Sequence, residues 1–374
     1  MGLNKRVRLG ELIELVDRRN TKLEYGLSDV RGITNDKHII ETRANLSGRS
    51  LEKFYIVKPN EFVYNRRTNR HADRLCLGFN ESSCNFIFTE DYVTFRVKDE
   101  NTLLPVYLYL YFNRPEFDRY VRWDSWGSAT EFFNWENMCA VEIDLPALEK
   151  QRQAVAVYQG LKDNLAAYEQ GLEDLKLTCD GFIDQLRHDL PGKRIGPYIQ
   201  ASDVRNVHQL EVSQVRGIST NKTLIETKAN MDGVSLSNYK ELAPCQFVYV
   251  ADTSRRGDKV AIAYNDSDEP YLVSSIYTVF STDKAVLLPE YLMMFFHRAE
   301  FDRYARFHSW GSARETFDWQ ELCDVRIPVP EVKVQRAVAD IYKCYIERQR
   351  IAAELRQQLQ DICPVLVRGA LGEV

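Results

Sequence analysis

The sequence predicts an α+β protein in which two duplicated globular domains are joined by two long helices that form an antiparallel coiled coil. Three observations predict this fold. The chain repeats itself at long range, each copy combines short β-prone runs with a helix, and each copy is followed by a heptad pattern of apolar residues. The length of 374 residues is also more than a single compact domain usually has.

The duplication extends over most of the chain. Positions 30–81 align with positions 215–266 and share 21 identities in 52 places. After a shift of one residue, positions 103–158 align with positions 287–342 and share 28 identities in 56 places. A solenoid unit has roughly 20 to 50 residues, so a repeat this long indicates a duplicated domain.

Each copy is predicted to begin as a small α+β globule. Short β-prone runs are separated by polar turn residues in both copies. They lie at 62–64, 75–79 and 92–97, and again at 247–250, 260–264 and 277–280. A helix is expected to begin at Pro105 and at Pro289, because proline is favoured in the first helical turn.

Each copy ends in a pattern that predicts a long helix. Apolar residues recur at alternating steps of four and three, as the a and d positions of a coiled coil do. In the first copy they are Ala154, Tyr158, Leu161, Leu165, Tyr168, Leu172, Leu175, Cys179, Phe182 and Leu186. In the second copy they are Val334, Val338, Ile341, Tyr345, Arg348, Ala352, Leu355, Leu359, Ile362 and Leu366, with Arg348 as the only interruption. The residues expected in the coiled coil and its partner-binding surface are Leu161, Leu165, Tyr168, Leu172, Leu175, Tyr345, Leu355 and Leu359.

These patterns divide the chain into four parts. The globules are expected at 1–147 and 191–330, and the long helices that follow them at 148–190 and 331–374. A helix of about 40 residues extends ~60 Å, which exceeds the width of one globule. We therefore expect the helices to pair with each other rather than each to lie on its own globule.

The composition excludes several classes of protein. With 44% hydrophobic and 28% charged residues the chain is globular, and its eight cysteines lack the spacing of a zinc site. The longest apolar run, at 103–112, is too short to span a membrane, and no signal peptide is recognised, so a cytoplasmic protein without membrane contact is expected. The net charge of −5 means that binding to nucleic acid would need a local basic cluster.

One basic cluster lies between two predicted strands of the first copy. Arginine can fork onto a guanine edge and asparagine onto an adenine edge, so these residue types are suited to reading bases. The candidate DNA contacts are Asn65, Arg66, Arg67, Asn69, Arg70 and His71, and in the second copy Thr253, Arg255 and Arg256. A solvated surface turn is the alternative interpretation.

A second candidate element is the sequence Ser-Trp-Gly-Ser-Ala at 125–129 and again at 309–313. Hydroxyls beside a glycine are suited to contacts with phosphate oxygens. The candidates are Arg122, Ser125 and Ser128, and in the second copy Arg306, Ser309 and Ser312. The alternative is the start of a capped helix, with Trp126 and Trp310 in the core.

No catalytic or metal site is predicted. The sequence has no Walker A loop, no Gly-x-Gly-x-x-Gly, no Gly-x-Ser-x-Gly and no His-Glu-x-x-His. It also lacks the Asn-Pro-Pro-aromatic or Asp-Pro-Pro-aromatic tetrapeptide of amino-methyltransferases. The chain is therefore not expected to be an enzyme.

The whole chain resembles the specificity (S) subunit of a type I restriction-modification system. The resemblance rests on an order of motifs that occurs twice, namely Gly-Ser, an apolar stretch ending in Pro, and Gln-Arg. These are Gly127-Ser128, 143–146 and Gln151-Arg152, repeated as Gly311-Ser312, 327–330 and Gln335-Arg336. The family usually has Glu-Gln at the last motif, where this chain has Lys150-Gln151 and Val334-Gln335.

The resemblance implies a function in phage defence. It implies two target-recognition domains that each read one half of a bipartite sequence in double-stranded DNA, and conserved-region helices that dock two modification (methyltransferase) subunits. Restriction subunits, which translocate and cut DNA, are a further class of partner. The resemblance implies no cofactor and no catalysis in this chain, with S-adenosylmethionine bound by the modification subunits. The alternative is a tandem protein-interaction scaffold without DNA specificity.

Overall fold

The structure, a computed structural model, describes residues 5–68, 74–126, 131–253, 259–311 and 315–372. The chain divides into two compact units. Unit 1 comprises Met1–Ala167 and Ala352–Val374, and unit 2 comprises Tyr168–Ile351. The division passes through both long helical segments, because part of each segment packs on each globule. The domain boundaries at 147, 190 and 330 stay predictions.

The first copy of the repeat forms a mixed globule followed by two helices. Its strands are β1 (Lys5–Arg8), β2 (Ile13–Leu15), β3 (Arg31–Ile33), β4 (Ile39–Glu41), β5 (Tyr55–Val57), β6 (Phe62–Asn65), β7 (Leu77–Phe79), β8 (Phe86–Phe88), β9 (Tyr92–Val97) and β10 (Glu142–Leu145). Its helices are α1 (Leu9–Leu12), α2 (Pro105–Phe112), α3 (Pro115–Trp123) and α4 (Trp135–Ala140), followed by α5 (Leu148–Glu169) and α6 (Leu172–Asp189).

The second copy repeats this order. Its strands are β11 (Lys193–Arg194), β12 (Ile199–Ser202), β13 (Arg216–Ile218), β14 (Leu224–Glu226), β15 (Lys240–Leu242), β16 (Phe247–Tyr249), β17 (Ile262–Tyr264), β18 (Tyr271–Val273), β19 (Thr278–Thr282) and β20 (Arg326–Ile327). Its helices are α7 (Pro289–Phe296), α8 (Ala299–Phe307), α9 (Trp319–Asp324) and the long α10 (Val332–Leu371).

The two globules share one topology, which confirms the α+β fold and the duplication. The main antiparallel sheet has the strand order β2-β9-β6-β7 in unit 1 and β12-β19-β16-β17 in unit 2. Small antiparallel pairs surround it in both units, such as β3 with β4 and β13 with β14. The helices predicted from Pro105 and Pro289 begin at those residues.

The cores are built from matching aromatic residues. Phe62 stacks on Phe95 across the sheet at 4.9 Å, and Phe247 stacks on Phe280 at the same distance. In both units a phenylalanine of the proline-initiated helix, Phe112 in unit 1, meets this stack edge-on. Such pairs combine large apolar burial with favourable ring geometry, so they fix the helix on the sheet.

A buried glutamine attaches each globule to the helix that follows it. The Gln151 side chain accepts a hydrogen bond from Leu104 N (2.9 Å) and donates to Thr102 O and Pro146 O (both 3.0 Å). Gln335 makes the equivalent three bonds in unit 2. Because a buried amide must satisfy its donors and acceptor, this residue orients the start of the helix. The Gln of the repeated Gln-Arg motif is therefore structural.

The long helices pair antiparallel. In unit 2, Phe182 of α6 lies beside Val334 and Val338 near the start of α10, whereas Gln170 meets Arg348 farther along α10. In unit 1, the first turns of α5 share a core cluster with the last turns of α10. The residues of the predicted seam are half-buried or buried: Leu161, Leu165, Tyr168, Leu172, Leu175, Tyr345, Leu355 and Leu359.

The first long helix is broken, which corrects the prediction of one continuous helix. α5 ends at Glu169 and α6 begins at Leu172, and Gly171 between them has φ of 75°. Arg348, which interrupts the other seam, donates to Gln170 O at 3.0 Å and lies over the Tyr168 ring. The arginine thus satisfies a carbonyl that the broken helix leaves without an intrahelical partner.

Two positions of the predicted seam were wrong. Phe182 and Ile341 are exposed, and the adjacent Ile183 and Tyr342 are buried instead. Ile183 and Tyr342 join the core of the unit 2 globule. Near the globule the buried face of each helix therefore turns toward the globule. The strict heptad spacing no longer describes which helix residues are buried there.

The described helices include none that is long and apolar enough to cross a membrane.

Candidate nucleic-acid interface

The two sequence elements proposed to contact DNA meet in unit 1. Arg67 forms an antiparallel bridge with Phe132, and Trp126 bridges Phe132 from its other side. Phe133 N donates to Arg66 O at 2.8 Å, and Thr68 N donates to Glu131 O at 3.1 Å. We call this arrangement, residues 66–68, 126 and 131–133, the surface ladder of unit 1.

Unit 2 has the equivalent surface ladder, residues 251–253, 310 and 315–317. Asp252 and Trp310 both bridge Thr316. Phe317 N donates to Ala251 O at 2.8 Å, and Thr253 N donates to Glu315 O at 3.1 Å. The duplication therefore brings together the same two chain segments in both units, which sequence spacing alone did not predict.

The arginines of the ladders differ in their partners. Arg66 is exposed, with its guanidinium 5.5 Å from the centre of the Phe132 ring, while Arg67 is half-buried. Arg122 lies 3.8 Å from Glu131, and Arg306 pairs with Glu315 in unit 2. The predicted phosphate-binding arginines are thus held beside a glutamate at the rim of each ladder.

Exposed aromatic rings flank these arginines. Trp123 and Trp126 are 71% and 70% exposed, and the equivalent Phe307 and Trp310 are 75% and 61% exposed. The interpretation of Trp126 and Trp310 as core residues was wrong, and the Ser-Trp-Gly element follows the end of a helix rather than starting one. Phe133 fills the core beneath the ladder instead.

Three predicted contact residues are buried in their own units, which corrects the expectation that Ser125 and Ser309 offer hydroxyls to phosphate and that Thr253 is exposed to DNA. Ser125 Oγ donates to Val121 O and Ser309 Oγ donates to Ala305 O, both at 2.6 Å. Thr253 Oγ1 donates to Glu315 O at 3.1 Å. Each hydroxyl hydrogen is used within the fold, so none is available to a phosphate oxygen in this conformation.

Asn65 also has a structural partner. Its Oδ1 accepts a hydrogen bond from Arg67 N at 3.0 Å, which shapes the turn at the end of β6. The remaining candidates lie outside the described residues: Asn69, Arg70, His71, Ser128, Arg255, Arg256 and Ser312.

A buried ion pair that sequence reasoning missed supports each ladder. Lys37 Nζ lies 2.7 and 2.6 Å from the two carboxylate oxygens of Asp118, and Asp118 also accepts from Leu75 N. Burial lowers the pKa of Lys37, and the Asp118 carboxylate opposes that shift. Lys222 and Asp302 form the same pair in unit 2.

The ion pair ties three segments together. Lys37 lies at the tip of the β3-β4 hairpin, Asp118 is on α3, and Leu75 precedes β7 on the return from the arginine-rich segment. Lys37 is identical to Lys222, and Asp118 is identical to Asp302, in the aligned copies. That shared pairing of a lysine and an aspartate was the available signal in the sequence.

The long helices expose apolar side chains and a groove. In unit 2 a groove of about 370 Å³ lies between α6 and the start of α10, lined by Cys179, Phe182, Val334, Val338 and Ile341. Leu177 of α6 and Val157 of α5 also expose apolar surface. Among the described residues, no cluster of His, Cys, Asp or Glu is arranged to hold a metal ion.

Comparison with known proteins finds a relationship in structure. No protein-family model matches the sequence, and no curated protein matches it. The chain is similar to the crystal structure of a type I restriction-modification system S subunit from M. genitalium, with a TM-score of 0.60 and 11% identity. The match covers 99% of this chain and 95% of that one. This chain has the fold of a type I S subunit.

Two further structures match over nearly their whole length at lower TM-scores. One, described as the structural basis of complex assembly and conformational transition of the type I R-M system, has a TM-score of 0.43 and 12% identity, with 99% and 98% coverage. The other, an HsdS subunit from Thermoanaerobacter tengcongensis, has a TM-score of 0.38 and 14% identity, with 99% and 97% coverage. The assignment of the S-subunit fold rests on the M. genitalium structure.

Proposed function

We propose that this chain is the DNA-recognition subunit of a type I restriction-modification complex, with one target-recognition domain for each half of a bipartite target. The observation that supports this most strongly is the S-subunit fold, which extends over the whole chain, including both long helical segments. A fold can serve several functions, so the surface ladders are the second support.

The ladders have the chemistry that DNA recognition needs. Each one has arginine at its rim and exposed aromatic rings beside it, although the chain as a whole has a net charge of −5. Arginine supplies phosphate contacts that position the protein, and it can also fork onto a guanine edge. Acidic residues elsewhere reduce the attraction to any duplex, so binding depends on this local surface.

The two half-sites are related but not identical. The ladders share their backbone pairing and the aromatic residues Trp126/Trp310 and Phe133/Phe317, but Phe132 corresponds to Thr316, and Arg66 and Arg67 correspond to Ala251 and Asp252. Alanine and aspartate cannot make the bidentate contact of arginine with guanine. The first domain is therefore the one in which Arg66 or Arg67 reads a base.

Modification subunits dock on the long helices, and S-adenosylmethionine is bound by those subunits rather than by this chain. The apolar groove beside Phe182 and the exposed Leu177 support this role, because exposed apolar surface on a helix is favourable only when a partner covers it. Restriction subunits are a further class of proposed partner.

The test is to produce the chain with the modification subunit of its host and to map methylated adenines in the genome of the producing cell. The expected result is one bipartite motif with a fixed spacer, which is absent when this chain is omitted. A complex that forms but methylates without a motif, or a duplex-binding assay in which the assembled complex shows no salt-dependent binding, would contradict the proposal and favour the protein-interaction scaffold.

A further inference from the structure

The aromatic pairs beside the surface ladders are unusual for side chains of this size. Trp123 and Trp126 in unit 1, and Phe307 and Trp310 in unit 2, leave most of their surface in solvent. The other tryptophans, Trp135 and Trp319, pack against core phenylalanines. Large exposed aromatic surface rimmed by polar groups marks a site of interaction.

Backbone hydrogen bonds hold the chain segment that carries one ring of each pair. Trp126 N donates to Phe132 O at 3.3 Å, and Phe132 N donates to Trp126 O at 3.1 Å. Trp310 and Thr316 exchange the same two bonds, at 3.1 and 2.9 Å. A ring on a paired backbone loses little conformational freedom when it binds, so its contact area is used efficiently.

The pairs remain aromatic where the rest of the ladder differs. Position 123 is Trp and its equivalent 307 is Phe, whereas positions 126 and 310 are both Trp. The neighbouring Arg66 and Arg67 are replaced by Ala251 and Asp252. The rings are thus retained independently of the residues that would read different bases, which points to a contact common to both half-sites.

We propose that Trp126 and Trp310, assisted by Trp123 and Phe307, bind duplex DNA through their ring faces and contact the deoxyriboses of its backbone rather than bases or phosphates. This inference rests on the proposed DNA-recognition function and names a part of that surface that the arginines do not cover. Every nucleotide carries the same deoxyribose, so such contacts tolerate any sequence. They release no counterions, so their contribution to affinity does not depend on salt.

The surrounding charges favour DNA over a protein as the occupant. Arg66 lies over Phe132 in the same ladder as Trp126, and Arg122 directly precedes Trp123. Arginine placed beside exposed aromatic rings matches a ligand whose backbone alternates anionic phosphates with less polar sugars. The apolar surface on the long helices, by contrast, has no such arginine-rich rim among its lining residues Cys179, Phe182 and Val338.

The experiment compares two double variants of the full chain. Trp126→Ala/Trp310→Ala removes the rings, and Trp126→Phe/Trp310→Phe keeps aromatic faces of smaller size. Affinity for a mixed-sequence duplex of about 40 base pairs is measured by fluorescence anisotropy at several salt concentrations. The Ala variant is expected to bind at least about fivefold more weakly at every salt concentration, with the slope of log affinity against log salt unchanged.

Matched controls separate ring contact from charge and from folding. The Phe variant is expected to stay within about threefold of the wild-type affinity, since a phenyl ring still offers an apolar face to a deoxyribose. Arg122→Ala is expected to flatten the salt slope by about one phosphate contact. Ile276→Ala, which removes an equally exposed apolar side chain in the β18-β19 turn, is expected to leave affinity unchanged.

The outcomes distinguish this inference from the proposed function. If the wild-type chain and its complex with the modification subunit both fail to bind duplex DNA, both are wrong. If the wild type binds and the Ala variant binds equally well, or loses affinity only through a flatter salt slope, the ring contact alone is wrong. An Ala variant that binds DNA normally but no longer assembles with the modification subunit assigns the rings to a protein interface and overturns the inference.

Discussion

Arg66 and Arg67 leave the end of β6 side by side but lie in different surroundings. Arg66 is exposed over the Phe132 ring, whereas Arg67 belongs to the backbone pairing of the surface ladder and is half-buried. The backbone of Arg67 is therefore held in place by its pairing with Phe132. Such a residue is suited to a directional contact with a base edge, because the position of its backbone is defined before binding.

Replacing Arg67 with Ala is predicted to relax specificity at about one base pair of the first half-site. The loss of a bidentate contact costs roughly 1–3 kcal/mol of discrimination. Methylation mapping of the producing genome should show a degenerate position in the first half-site and an unchanged second half-site. Arg122→Ala is the control and should weaken methylation at all sites alike. A motif identical to the wild-type motif, or one altered only in the second half-site, would show that Arg67 is structural.

His297 makes the stability of unit 2 sensitive to acid. Burial lowers the pKa of His297 to about 4, and its Nδ1 lies 3.1 Å from Met293 O at the end of α7. The equivalent residue in unit 1 is Asn113, whose side chain donates to Tyr109 O at 2.8 Å. Asparagine thus preserves the bond to the helix end without a titrating group.

We predict that His297→Asn flattens the pH dependence of unfolding between pH 6.5 and 4. In this window the unfolded histidine binds a proton that the folded histidine does not, so the wild type loses stability as the pH falls. The loss from this group is up to about 3 kcal/mol. Urea unfolding of both proteins at several pH values measures it. Parallel curves for the two proteins across the window would rule out the assignment.

At the scale of elements, the helix pair has an apolar interface with one polar contact at the break in the first helix. Leu355 of α10 is buried in unit 1, while Arg348 lies opposite the break at Gly171 in unit 2. A heptad pattern describes the seam because a and d positions meet at every turn. It does not describe a break, where one arginine satisfies a freed carbonyl.

Replacing Leu355 with Asp is predicted to lower the free energy of unfolding by about 3–5 kcal/mol, because it leaves an unpaired charge in the helix interface. Leu177→Asp is the matched control on α6, where leucine is 61% exposed, and it should change stability by less than about 0.5 kcal/mol. Chemical denaturation measures both. Equal effects of the two substitutions would show that Leu355 is not in a buried interface.

At the scale of the whole molecule, an ion pair joins each helix end to the globule on which it packs. In unit 2, Arg298 pairs with Asp184 of α6 at 2.6 Å. In unit 1, Glu116 pairs with Arg368 of α10 at 2.9 Å. Positions 184 and 368 are equivalent in the two copies but carry opposite charges. The globule positions that make these ion pairs are the same in both copies, since Arg114 matches Arg298 and Glu116 matches Glu300, so the helix residue decides which of the two is paired.

The assembly is predicted to contain two modification subunits for each copy of this chain. Each unit has its own part of the helix pair, and two related surfaces can bind two copies of one partner. Native mass spectrometry of the complex at saturating modification subunit should show this stoichiometry. Leu177→Asp should weaken docking, since Leu177 lies on the exposed apolar surface of α6. A saturated complex with a single modification subunit would contradict the prediction.

The sequence predicted the duplication, three strands and the proline-initiated helix of each globule, and the antiparallel seam. These features depend on local periodicity and on comparison of the copies, both of which can be seen in the chain itself. Pro105 and Pro289 mark helix starts because proline acts on its own backbone. The likeness to an S subunit rested on the same features, since it depended on motif order.

Only the tertiary structure decided which candidate side chains face solvent and which point into the fold. The Ser125 hydroxyl is turned inward to a helix carbonyl while Trp126, the next residue, faces solvent. Lys37 pairs with Asp118, which is 81 residues away in the chain, and Arg348 donates to Gln170, which is 178 residues away. Hydrophobicity would place a tryptophan inside and a serine outside, but the pairing of Trp126 with Phe132 overrides it. Such contacts depend on residues distant in sequence, so no local pattern could reveal them.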